Sequence, residues 1–82
     1  MTATKDDIER WLESAKEKGA THLIVAVDRY DHDNYPIYVG PDEKIQEKIQ
    51  GVDSGNMQGI DEVYNMSINI DEQLSEYRAY NL

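Results

Sequence analysis

The densest run of reactive side chains is Asp28-Arg29-Tyr30-Asp31-His32-Asp33-Asn34-Tyr35. Three carboxylates and an imidazole between positions 28 and 33 supply the donors that Ca²⁺, Mg²⁺ or Mn²⁺ accept. The spacing does not make a defined cation loop. An EF-hand loop opened by Asp31 needs an oxygen ligand at 35, a glycine at 36 and a glutamate at 42, where the chain has Tyr35, Pro36 and Asp42. Short Asp and Asn side chains also bond to their own backbone in turns. The run is therefore read as a polar hairpin tip, with a divalent-metal or small-ligand module at 28–35 as the alternative.

Catalytic equipment is sparse. The chain has no cysteine, which excludes thiol chemistry, disulfides and zinc-thiolate sites. Ser14, Ser54, Ser67 and Ser75 sit in no nucleophile-elbow context. His22 and His32 fall at opposite ends of one predicted strand. Gly51, Gly55 and Gly59 lack the Lys-Ser/Thr that completes a phosphate-binding loop. No catalytic residue, metal ligand or cofactor is assigned, and the chain is expected not to be an enzyme.

Six tyrosines and no phenylalanine point instead to contact. Tyrosine joins an apolar ring to a polar tip and is enriched at interfaces. Tyr30, Tyr35 and Tyr38, with Asp31, His32, Asp33 and Asn34 between them, form the candidate partner-binding set. The competing use of these rings is to complete a small core with their hydroxyls at its boundary.

The charge balance narrows the partner. Seventeen acids face eight bases, for a formal charge of −9. Lys5, Arg10, Lys16, Lys18, Arg29, Lys44, Lys48 and Arg78 are scattered, so no basic cluster displaces counterions from a phosphate backbone. Direct nucleic-acid binding and membrane attachment are not expected. A protein with a basic surface fits, although negative charge also serves solubility alone. The start MTATKDDIER carries no apolar signal core, and no stretch reaches the roughly 20 apolar residues of a membrane span. The expected location is the cytoplasm.

A chain of 82 residues is expected to form a single domain over 1–82. Thr4 and Asp7 resemble a capping box, Ala3 and Ile8 a hydrophobic staple, Ile8, Trp11, Leu12 and Ala15 share one helical face, and Gly19 supplies a left-handed stop. These predict a helix over 5–18. The β-branched run after Thr21 predicts a strand over 21–29. Asp31–Asn34 then form a turn, and 35–39 return as a second strand, which lies at a sheet edge or starts only after Pro36, because proline lacks a donor. Pro41 and the acids after it predict a helix start, with Ile45, Ile49 and Val52 as its stripe and an end near Gly51. Residues 52–56 read as a mobile loop. Ile60, Val63, Ser67, Ile70, Leu74 and Tyr77 recur every three or four positions, which favours one long helix or two. A third strand at Ile68-Asn69-Ile70 is the opposing reading. Asp71, Glu72 and Glu76 join the acids of the first helix if the terminal helix packs beside it. The predicted fold is α+β, in the order α-β-β-α-α, an antiparallel hairpin packed against helices. Apolar residues on both faces of the first strand call for a second cover, for which a homodimer partner is one candidate.

The tracts Gly19–Val25 and Asp31–Val39, Gly55-Asn56-Met57-Gln58, and Glu62–Ser67 resemble small uncharacterised proteins encoded by tailed bacteriophages. The likeness runs from about Ile8 to Tyr80. It carries no assigned activity, so it brings no functional residues. It implies a phage accessory protein acting in the host cytoplasm by binding and inhibiting or modulating a host factor, with defence machinery among the targets of such proteins.

Overall fold

The computed structural model describes residues 3–55 and 57–82. Its elements are α1 (Lys5–Lys18), β1 (His22–Asp28), β2 (Asp33–Val39), α2 (Ile45–Asp53), β3 (Gln58–Asn65) and α3 (Ile70–Leu74). The strands form one antiparallel sheet in the order β2-β1-β3. The fold is α+β as expected, but its order is α-β-β-α-β-α.

α1 follows its sequence signals closely. Thr4 Oγ1 accepts from the Asp7 N–H at 3.2 Å, and the Asp7 carboxylate accepts from the Thr4 N–H at 3.0 Å. These bonds and the adjacent Arg10 hold the Asp7 carboxyl below its ordinary pKa. Gly19 ends the helix at φ 71°, a conformation that costs side-chain-bearing residues about 1–2 kcal/mol.

β1 pairs with β2 on one side and β3 on the other. β2 is therefore an edge strand, which tolerates Pro36 and its missing donor. Asp33 and Asn34, expected in the turn, belong to β2; the turn is confined to 29–32. α2 starts later than predicted. Glu43 instead closes a turn on Gly40: its N–H donates to the Gly40 carbonyl at 3.1 Å and its side chain accepts from the Gly40 N–H at 2.9 Å. Val52 and Asp53, expected in a loop, are helical; Asn56 of that loop lies outside the described residues.

The C-terminal third overturns the favoured helical reading. Residues 58–65 form β3, and the 68–70 segment, a strand in the opposing reading, instead leads into α3, which begins at Ile70. The ladder jumps from Val25↔Glu62 to Ala26↔Ile60, so Asp61 is an extra residue in a β-bulge. Ile60 and Val63 thereby face the same side at a spacing of three, which imitates a helical repeat.

Each sheet face has its own cover. Leu12 and Ala15 of α1 pack on Leu23, Val25 and Tyr64, joined by Met66, Ile70 and Leu74. Ile45 and Val52 of α2 pack on Ile24, Ala26, Ile60 and Val63 across the other face. Ile24 and Ala26 are 0% exposed, so the chain itself supplies the second cover for which a partner copy was one candidate.

α3 is anchored by Gln73, which is 1% exposed. Its amide donates to the Asn65, Ile68 and Asn69 carbonyls, and its Oε1 accepts from the Asn65 N–H at 2.7 Å and from Asn81 Nδ2. The chain then runs along the outer edge of β3. The Val63 N–H donates to the Ala79 carbonyl and the Asn81 N–H to the Val63 carbonyl, at 2.9 and 3.0 Å.

Candidate protein-interaction surface

The hairpin tip is built by its own backbone bonds. The His32 N–H donates to the Asp28 carbonyl at 2.6 Å, and the Asp28 carboxylate accepts from the Tyr30 N–H at 2.9 Å. The Arg29 N–H donates to the Met57 carbonyl at 2.8 Å, which ties the tip to the segment entering β3. His32 sits at φ 61° and Met57 at φ 64°, both in the left-handed region that favours glycine. The Arg29 guanidinium lies over Gly59, where a Cβ would come within 2.6 Å of Nη2.

This end of the molecule presents apolar groups to solvent. Tyr30 is 78% exposed and Met57 50%, and Asp31, His32 and Asp33 are exposed between them and β2. Three other members of the candidate set lie apart from this surface. Asn34 is half-buried: its Oδ1 accepts from the Ala3 N–H, and its Nδ2 donates to the Ala26 carbonyl and the Asp61 carboxylate. Tyr35 packs on the α2 side and donates its hydroxyl to Gln58 at 2.9 Å. Tyr38 packs on the α1 side, with Lys18 Nζ 5.3 Å from its ring centroid. Tyr30 to Asp33 are thus the exposed members of the candidate set, while Asn34, Tyr35 and Tyr38 are engaged within the fold.

Among the described residues no three of His, Asp and Glu are grouped as a metal site, so the cation reading of 28–35 rests on composition alone. His22, at the far end of β1, bonds with Thr21 Oγ1 and the Leu82 carbonyl. It does not approach His32. Among the described residues no helix is long and apolar enough to cross a membrane.

Sequence reasoning missed two features. The bulge puts Asp61 beside Glu62 in a cavity of about 410 Å³ with Asn34, Tyr77 and Arg78. The Glu62 carboxylate accepts from the Tyr64 hydroxyl and the Ala79 N–H, while Arg78 donates to the Asp61 and Ile60 carbonyls. These polar groups are used in holding the C-terminal segment on β3. The second feature is a groove of about 310 Å³ between α1 and α3, lined by Glu9, Leu12, Glu13, Lys16, Met66, Ile70, Asp71 and Leu74. A conditional signal for it is present, since Asp71 joins the α1 acids only if α3 packs beside α1. No protein-family model, curated protein or solved structure matches this chain.

Proposed function

We propose that this chain is a non-enzymatic binding protein whose contact surface is the β1–β2 tip and whose partner is a protein with a basic face. The observation that carries the proposal is the exposure of Tyr30 and Met57 at a tip whose backbone is held by hydrogen bonds, beside the exposed Asp31 and Asp33. Neither the Tyr30 nor the Met57 side chain is needed by the two core clusters, and an aromatic anchor inside a charged rim is the usual composition of a binding hot spot. The phage-protein resemblance extends the proposal to a host protein as partner, with inhibition or modulation as the outcome and the host cytoplasm as the setting.

The test is affinity capture from host lysate by the wild-type chain, Tyr30→Ala and Asp31→Lys, followed by titration of the captured protein. Saturable binding weakened at least tenfold, about 1.4 kcal/mol, by each substitution at unchanged melting temperature is expected. Equal capture by all three forms would remove the tip from the interface. Substrate turnover by the purified protein would overturn the non-enzymatic reading.

A further inference from the structure

A second surface, independent of the hairpin tip, has a chemistry of its own. The groove between α1 and α3 combines an apolar floor with an acidic rim. Its floor is Leu12, Met66, Ile70 and Leu74, all members or neighbours of the α1-side core. Its rim carries Glu9 and Glu13 from α1 and Asp71 from α3, all three exposed, with Lys16 as the one base among the described lining residues. Glu9, Glu13 and Lys16 follow one another along α1 at spacings of four and three, so they stand on one side of the helix. The groove is about two turns long, or roughly 10 Å at 1.5 Å per residue.

From this arrangement we infer that the α1–α3 groove is a docking site for a basic amphipathic helix of a partner protein. The choice of occupant follows from charge complementarity on both scales. Locally, Glu9, Glu13 and Asp71 flank apolar side chains, matching a helix that presents one or two large apolar residues between Lys or Arg side chains. Globally, the formal charge of −9 draws a cationic segment towards the surface and speeds encounter. Lys16 gives the groove a direction: the basic residues of the incoming helix lie towards the Glu9 end, where no base lines the groove. A groove of this volume admits an anchor residue or two, which places the interaction among transient ones.

The experiment uses a fluorescein-labelled amphipathic helix of lysine and leucine, about 18 residues or five turns long, and a scrambled peptide of identical composition. Each is titrated by anisotropy against the full chain, the groove variant Glu9→Lys/Glu13→Lys and the control Asp42→Lys/Asp53→Lys, both of whose residues are exposed and lie outside the groove and the tip. The two variants change the charge equally, and circular dichroism and melting temperature establish that each is folded. The expected result is saturable binding of the amphipathic peptide, at least tenfold weaker for the groove variant and within twofold for the control, with the scrambled peptide at least tenfold weaker. Equal losses in both variants, or equal binding of both peptides, would mean attraction by bulk charge and would overturn the inference. Sedimentation of the unliganded chain adds a further arm. A dimer that the groove substitutions dissociate would assign the groove to a second copy and overturn the basic-helix occupant.

Discussion

Gln73 shows how much one side chain organises here. Its amide closes the turn between β3 and α3 and also holds Asn81 at the edge of the sheet. Replacing it with leucine keeps the bulk but leaves the half-buried Asn65 N–H without its acceptor, a loss of about 1 kcal/mol. Gln73→Leu is expected to lower the urea midpoint accordingly with an unchanged m-value, and an unshifted midpoint would disprove this anchoring role. Tyr64 makes a pH-dependent contribution. Burial, reinforced by the Glu62 carboxylate, raises its phenol above the ordinary value of 10.0. The folded state then holds this proton more tightly than the unfolded chain. The associated stability is complete below about pH 10 and declines as pH rises further. Tyr64→Phe keeps the ring and removes the titration, so its stability relative to wild type should improve between pH 8 and pH 11. Denaturant midpoints at the two values check this; a constant difference would exclude the phenol as a source of alkaline instability. Neither residue stood out in the sequence. A glutamine between apolar positions does not reveal that five hydrogen bonds converge on it, because its partners, four backbone groups and the Asn81 side chain, are placed by the tertiary fold.

At the scale of elements, legibility depended on whether local signals agreed. α1 was readable to its boundaries because cap, apolar stripe, charge placement and glycine stop all specify one helix. β1 and the edge position of β2 were readable from β-branched content and from Pro36. β3 was not. Its bulge at Asp61 turns the two-residue period of a strand into a three-residue spacing, and the stripe then continues by chance through a turn into α3. The tip was legible as a polar turn but read two residues late, at 31–34 where the turn is 29–32, and the strand period divides Tyr35 from Tyr38 onto opposite faces, which a list of nearby tyrosines conceals. Two glycines give an opposed pair of tests. Gly19 lies at positive φ, so Gly19→Ala should cost about 1 kcal/mol, lowering Tm by roughly 4–8 °C for a domain of this size. Gly51 lies inside α2, and a Cβ there meets nothing within 4 Å. Gly51→Ala should therefore stabilise by about 0.5–1 kcal/mol. Calorimetry reads both, and shifts of the same sign would contradict the backbone assignment at one of the two sites.

At the scale of the whole molecule, two layers of helix on a three-stranded sheet meet the packing demand that had motivated a second copy, and leave the excess charge as the dominant unbalanced force. The described residues span 31 × 28 × 20 Å. The screening length is about 30 Å at 0.01 M salt and about 8 Å at 0.15 M. At low salt nearly every acid therefore interacts with every other, whereas near physiological salt only neighbours do. The Asp7–Arg10 and Glu43–Lys48 ion pairs relieve this repulsion only locally. Net repulsion destabilises the compact state, so Tm should rise between 0.01 and 0.15 M sodium chloride. Association with a basic partner should respond in the opposite direction, since the same screening removes long-range attraction and slows encounter. Measured on one preparation, rising Tm and falling association rate would identify a charge that costs folding stability and serves recognition. A Tm that falls with salt would show that attraction between scattered bases and acids outweighs the excess, and the case for charge-steered binding would lose its basis.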